Sequence, residues 1–281
     1  CISDWGFDFR PDYQRIARLL LELESGTPVL ATTATATSRV VDDLAEQLGS
    51  STTVIRGPLA RKSLRLAVVP HLTYGRRIAW VDEFLQTAEG SGIIYGLTVA
   101  VVEQLAAFLR ERGHDVEPYT GQTPPDVREE IEARLRANSL KAVVATSALG
   151  MGYDKPDLAF CIHVGSPDSP VSYYQQVGRA GRALDSAVGV LLPAGESDQE
   201  VWDWFATATL PDPEMAERLL ELLRREPMKT AELVEALARS KGKVEVLLKQ
   251  LRVDGVVDLS GGRWAATGRP WRFDADKYDR I

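Results

Sequence analysis

Lys141-Ala142-Val143-Val144-Ala145, running straight into Thr146-Ser147-Ala148-Leu149-Gly150-Met151-Gly152, is the stretch whose reading decides the fold. Four consecutive apolar residues with no polar alternate predict a strand covered on both faces, because a strand with one wet face alternates apolar with polar side chains. The small residues and glycines behind it predict a loop at the strand's C-terminal end. Gly92-Ile93-Ile94-Tyr95, followed by Gly96-Leu97-Thr98, repeats the pattern. Around these two runs, strands are expected at 64–69, 91–95, 115–119, 141–145, 159–164 and 187–192. Helices are expected between them at 75–88, 98–112, 124–138 and 169–178. Strand–helix alternation implies an α/β domain, a parallel sheet with helices on both faces and ligands gathered beyond the C-terminal ends of its strands.

Before this series, Tyr13–Glu24 places Ile16, Leu19, Leu20 and Leu23 on one helical face. Val29–Thr32 and Thr53–Ile55 are expected as short strands, and Arg39–Leu48 as a helix stopped by Gly49. Arg56-Gly57-Pro58-Leu59 is expected as a linker. After the series, Glu214–Arg225, Thr230–Ser240 and Lys243–Asp254 have the periodicity of three amphipathic helices. Val256–Leu259 and Arg263–Ala266 flank Gly261-Gly262 as a hairpin, which completes the pattern of a winged helix. Trp264 is expected to anchor the wing, and Trp202 and Trp204 to pack between domains.

Composition narrows the function classes. The 281 residues are 44% hydrophobic and 26% charged, and no apolar run is long enough to span a bilayer. Cys1 and Cys161 lie far apart without a CxxC partner, which disfavours a zinc site within the chain and fits a reducing, cytoplasmic setting. His71, His114 and His163 have no ligand spacing. The net charge is −7, yet residues 224–281 carry 13 Lys/Arg against 9 Asp/Glu, a local +4 against −11 for residues 1–223. A basic face on the C-terminal module is therefore the relevant quantity for nucleic-acid binding.

Three segments carry chemistry. In Gln175-Gln176-Val177-Gly178-Arg179-Ala180-Gly181-Arg182, two arginines three apart, beside glycines, can aim guanidiniums at one polyanion. Such groups bind phosphate oxygens bidentately and can offset charge on a transferring phosphoryl group. The run Thr146 to Gly152, then Tyr153-Asp154-Lys155-Pro156-Asp157, offers hydroxyls and backbone to a phosphodiester, and Asp154 can reach a ribose hydroxyl or hold one of the arginines. In Trp5-Gly6-Phe7-Asp8-Phe9-Arg10, aromatics interleaved with a cation suit stacking on unpaired bases. Lys241, Lys243, Lys249 and Arg263, on or near the third tail helix and wing, can neutralise phosphates. A winged helix equally serves as a protein-packing module.

These segments resemble RecQ-like superfamily 2 ATP-dependent DNA helicases. Residues 175–182 match the QxxGRxGR of motif VI, and 145–157 match motif V. Ala31–Ala36 is similar to the Thr-Ala-Thr of motif III, and Gly92–Thr98 to motif IV. Cys1–Tyr13 resembles the aromatic-rich loop that follows the family's DExH box. There are departures: Phe7 replaces a usual His, and after Thr98 the chain has Val99-Ala100 where relatives carry a cation. The family's four-cysteine zinc module is absent through Ile281.

The resemblance implies a RecA-like parallel-sheet domain of the P-loop NTPase type, preceded by the C-terminal part of a first RecA-like domain and followed by the winged helix. The boundaries expected are 1–57, 58–207 and 208–281. It implies that Arg182 is the arginine finger, with Arg179 and Gln175 completing the catalytic group and Gly152 and Asp154 joining Arg179 and Arg182 at the nucleotide. DNA is expected at Trp5, Phe7, Phe9, Arg10, Thr35, Thr98, Thr146 and Ser147. The implied activity is ATP- and Mg²⁺-dependent 3′ to 5′ translocation on single-stranded DNA and unwinding at junctions, in repair and recombination, by a monomer. No GxxxxGK[ST] and no Asp-Glu-x-His occur in the chain; in the family both precede the position of Cys1. The chain is thus expected to be part of a longer protein and to hydrolyse no ATP by itself. An RNA helicase of the same superfamily and a non-catalytic duplex-DNA-binding regulator are the alternatives.

Overall fold

The computed structural model describes residues 23, 27–33, 36–48, 52–57, 60–150, 153–209 and 212–273. The expected helix over 13–24 and the positions Trp5, Phe7, Phe9, Arg10, Thr35 and Gly152 lie outside the described residues.

Arg56–Trp204 is one compact unit. Its elements alternate as read from the sequence, each within two residues of the expected bounds: β1 Leu64–Val68, α2 Tyr74–Thr87, β2 Ser91–Gly96, α3 Val99–Glu111, β3 Val116–Tyr119, α4 Pro125–Arg136, β4 Ala142–Ala145, β5 Leu158–Val164, α5 Pro170–Val177 and β6 Ala187–Leu192. Helix α1, Ser38–Leu48, precedes them. The six strands form one sheet in the order β1-β6-β5-β2-β4-β3, and every pairing is parallel. This is the RecA-like α/β arrangement implied by the motifs.

The apolar runs are continuous because both faces of the sheet are covered. Every residue of β2 and β4 is buried. Ile94, Val144 and Ile162 face α2 and α3, where Val81, Leu85, Val102, Leu105 and Leu109 pack. Ile93, Val143 and Cys161, one residue away on the same strands, face α4 and α5 through Ile131, Leu135 and Val177. The two-residue period of a strand sends neighbours to opposite cores. Phe160 needs Gly92 beside it: a Cβ there would lie 2.2 Å from its ring.

Three expectations change. Val29–Thr32 and Thr53–Ile55 are not strands; they carry no ladder among the described residues, and Leu30 is 87% and Ile55 94% exposed. A strand exists only by pairing, so an apolar run without a neighbouring edge stays irregular. Conversely, Glu196–Thr209 is a helix, α6, that weak apolar periodicity concealed. Glu196 and Asp198 in its first turn suit the helix dipole, and Asp198 accepts from the Ala194 amide at 2.7 Å. The third is Trp202. Rather than leaving it only for packing between domains, the structure has its indole donate to the Ser166 carbonyl at 3.0 Å, inside the same unit.

The tail forms α7 Pro213–Arg225, α8 Thr230–Leu237, α9 Lys241–Val253 and the antiparallel pair β7 Val257–Ser260 and β8 Arg263–Ala266. This is the element order of a winged helix. Leu219, Leu223, Leu233, Leu247, Leu248 and Leu251 meet in its core with Trp264. Trp264 ties the wing down: its indole donates to Thr230 Oγ1 at 3.1 Å and its backbone pairs with Met228. Among the described residues, no helix is long and apolar enough to cross a membrane.

Candidate functional site

The parallel sheet sorts the expected site residues onto opposite edges. Thr98 follows β2 and Thr146 and Ser147 follow β4, so they sit at the C-terminal ends of the strands. Thr98 is the N-cap of α3, with Oγ1 accepting from the Val101 amide. Thr146 donates its amide to the Tyr119 carbonyl at 3.1 Å and accepts from the Ala148 amide through Oγ1. Ser147, itself exposed, opens a 3₁₀ turn, Ser147–Gly150, whose Leu149 is buried. The Thr98 and Thr146 oxygens thus accept from backbone amides, which leaves each hydroxyl free to donate.

Arg179 and Arg182 lie at the other edge, contrary to the rule that placed all ligand groups beyond strand C-termini. They follow α5, which runs back antiparallel to the strands. The Gly181 amide donates to the carbonyl of Leu158, the first residue of β5, and Ala187, which opens β6, donates to Ser63 just before β1. Residues 146–157 must therefore carry the chain from the end of β4 to the start of β5. The two edges lie about 20 Å apart over the seven residues of β5. One motif thereby contributes to both.

The arginines differ in their surroundings. Arg182 is 40% exposed and its Nη1 lies 2.7 Å from Asp154 Oδ1. Of the two roles open to Asp154, the structure places it on this arginine. An exposed pair of this kind is screened and worth at most about 1 kcal/mol, so Arg182 exchanges partners at little cost. Arg179 turns inward: it is 9% exposed and its Nη1 donates to the Tyr153 carbonyl at 2.7 Å. Its Nε is buried and carries no partner among the described residues. As placed, Arg179 braces the end of motif V. Gln175 is half-buried beside them on α5.

Behind the arginines lies a cluster that sequence reading passed over as scattered residues. His163 is fully buried on β5, with Nε2 3.0 Å from Gln176 Oε1. Its ring stacks on Tyr95 at 5.2 Å and meets Tyr173 at 4.9 Å. Burial pulls its pKa down to about 4, so the imidazole is neutral at pH 7, although Gln176 opposes the shift. Burial also pushes the Tyr153 hydroxyl up to about 12 and raises the Cys161 thiol. Tyr95 donates to the Leu149 carbonyl at 3.1 Å. Lys155, 1% exposed, pairs with Asp157, whose carboxyl is held low first by that bond and then by Asn138. These stacks and pairs hold α5 against β5, and hold Leu149 and Lys155 in place. The signal for His163 is its place within an otherwise apolar strand, where a lone imidazole needs a partner.

In the tail, Lys241, Lys243 and Lys249 are exposed on α9 while Val244, Leu247 and Leu248 face the core. Lys241 lies 3.7 Å from Glu245; Lys243 and Lys249 have no ion pair with a described residue. Arg263 is engaged, donating to the Pro227 carbonyl at 2.9 Å and lying 3.4 Å from Glu232. Among the described residues, no group of three or more His, Cys, Asp or Glu could hold a metal ion.

Residues 76–184 match the helicase conserved C-terminal domain. The chain is 38% identical over 185 residues to the ATP-dependent DNA helicase RecQ of Bacillus subtilis, which covers 65% of this chain and 31% of the relative. It is 33% identical over 228 residues to RecQ of Pasteurella multocida, covering 80% of this chain and 34% of the relative. The chain thus spans about a third of the length of the curated relatives it matches. A structure of Saccharomyces cerevisiae Dbp5 bound to RNA and ADP BeF3 superimposes with a TM-score of 0.59 at 18% identity, over 72% of this chain and 54% of that one, a likeness of fold alone. With the motif V and VI residues meeting at Arg182–Asp154 and Arg179–Tyr153, the chain carries a helicase conserved C-terminal domain at residues 76–184 and is similar over most of its length to RecQ helicases.

Proposed function

We propose that this chain supplies the nucleotide-sensing and DNA-gripping half of a RecQ-type motor that couples ATP hydrolysis to 3′ to 5′ movement on single-stranded DNA and to duplex unwinding in repair and recombination. The observation that carries the reading is Arg182, half-exposed and held by one exchangeable carboxylate. In the motor its guanidinium leaves Asp154 for the γ-phosphoryl group, where a second positive charge offsets what builds up during transfer. Arg179, through Tyr153, and Gln175 complete that edge. Thr98, Thr146 and Ser147 bind the DNA backbone at the opposite edge, and the motif V loop between them transmits nucleotide state to DNA contact. Trp5, Phe7, Phe9 and Arg10 stack on unpaired bases, Thr35 contacts the backbone, and Gly152 approaches the nucleotide. ATP and Mg²⁺ are held chiefly by a partner RecA-like domain, since the chain has no Walker A lysine. The protein works as a monomer in the cytoplasm.

The test is ATP turnover by the full-length protein with and without single-stranded DNA. Arg182→Ala is expected to lower DNA-stimulated kcat by roughly three orders of magnitude, as loss of an arginine finger does. Unchanged kcat would overturn the reading, as would ATP turnover by the 281-residue chain alone that survives Arg182→Ala. Single-stranded DNA is expected to stimulate where RNA does not; the reverse would make this an RNA motor.

A further inference from the structure

Arg61 lies in the stretch entering β1, just past what the sequence marks as a linker, and belongs to none of the helicase motifs. Its Nη1 donates to two carbonyls of the motif VI turn, Gly178 at 2.7 Å and Ala180 at 2.9 Å. Two residues on, Ser63 Oγ donates to the Gly181 carbonyl at 2.8 Å, and the Ser63 carbonyl accepts from the Ala187 amide at 2.7 Å. Helix α5 ends at Val177, and the carbonyls that leave a helix C-terminus have no partner in the helix. A guanidinium there satisfies two acceptors with charge-assisted bonds and opposes the negative end of the dipole.

The positions held matter more than the number of bonds. Peptide units are planar, so fixing the Gly178 carbonyl fixes the plane that ends in the Arg179 nitrogen, and fixing the Gly181 carbonyl fixes the plane that ends in the Arg182 nitrogen. Gly181 itself is left-handed, at φ 69°, and a Cβ on it would stand 2.7 Å from Ala187 Cβ. The turn therefore requires glycine at 181, and Arg61 and Ser63 latch its carbonyls. Asp154 accepts from the Arg182 side chain itself at 2.7 Å.

We propose that Arg61 is a positioning residue for the arginine finger: it touches no ligand, and with Ser63 it sets the backbone from which Arg182 reaches the nucleotide. The inference rests on the reading of Arg182 given above. It is tested in the full-length protein by DNA-stimulated ATP hydrolysis and a double-mutant cycle. Arg61→Ala is expected to lower kcat about tenfold or more, because displacements on the order of 1 Å at a reacting group have that effect, while KM for ATP and affinity for single-stranded DNA stay within about twofold. Arg61→Lys, which keeps one cation at the turn, is expected to recover part of the loss. In an Arg182→Ala background, Arg61→Ala is expected to cost nothing further, a non-additivity that a merely structural role would not produce. If Arg61→Ala does not fold, Ser63→Ala carries the test, with kcat lowered about threefold at unchanged KM. Unchanged kcat in the folded clamp variants while Arg182→Ala abolishes turnover, or a full additional loss in the double variant, overturns the clamp. Unchanged kcat in Arg182→Ala overturns the reading of the site itself, and the clamp with it.

Discussion

The cations at the motif VI turn of the α/β unit and two lysines on α9 of the tail are treated in opposite ways. In the unit, Arg61, Arg179, Arg182 and Lys155 each engage a named carbonyl or carboxylate, and two of them are almost fully buried. In the tail, Lys243 and Lys249 stand exposed on a helix whose other half is core. Cations that must reach one atom of a transferring group are worth ordering in advance, since positioning is most of their effect. Cations that neutralise a backbone of repeating phosphates need only be present on a face. The difference teaches that order at a cation follows from what surrounds it: carbonyls and a carboxylate at the motif VI turn, open solvent around Lys243 and Lys249.

Five substitutions sharpen or break this contrast. Arg182→Ala should give the largest effect, the thousandfold fall in kcat already described, while affinity for single-stranded DNA is unchanged. A fall in DNA affinity equal to that in kcat would erase the distinction. Next is the scaffold: Phe160→Ala should destabilise the protein by about 3–5 kcal/mol, because the ring fills the hollow over Gly92 between the sheet and α2. Denaturant unfolding measures it, and a loss under 1 kcal/mol would mean that this face is not close-packed.

His163 gives a pH test of the same scaffold. Its pKa is about 4 in the folded protein against an ordinary 6.5. Above pH 6.5 it is neutral in both states and has no effect on the balance. Below that the unfolded chain takes up a proton that the folded one refuses, so stability falls with pH down to about 4, by up to ~3 kcal/mol. His163→Gln should flatten this decline in urea unfolding at pH 7 and pH 5; an equal decline in the variant would place the titrating group elsewhere. The smallest effect belongs to the tail. Lys243→Ala and Lys249→Ala should each weaken DNA binding modestly for all sequences and reduce the salt slope by about 1, with kcat at saturating DNA unchanged. An unaltered slope would make the tail a protein-docking module instead.

Much of this was legible in the sequence. Continuous apolar runs marked β2 and β4 as buried strands, and the glycine and arginine spacing of 175–182 marked the turn from which Arg179 and Arg182 reach Tyr153 and Asp154. The Lys and Val/Leu alternation of α9 marked a half-buried helix. What was not legible depended on neighbours. Val29–Thr32 reads as a strand until one asks what it pairs with, and α6 does not read as a helix because its apolar residues do not follow a clean period. Arg179 and Arg182 look equivalent on paper, yet one is folded inward onto Tyr153 and the other outward onto Asp154.

By itself the sequence determined the alternation of elements, the parallel sheet and the residue types of each motif, because period and turn chemistry are local properties of the chain. Only the tertiary structure decided that Thr146 and Arg182 stand at opposite edges of the sheet, and that Arg61, more than a hundred residues before the turn it clamps, belongs to the site. Both follow from where strands lie beside one another, and the order β1-β6-β5 that brings Arg61 to Gly178 is set by packing across the whole sheet, which no local pattern encodes.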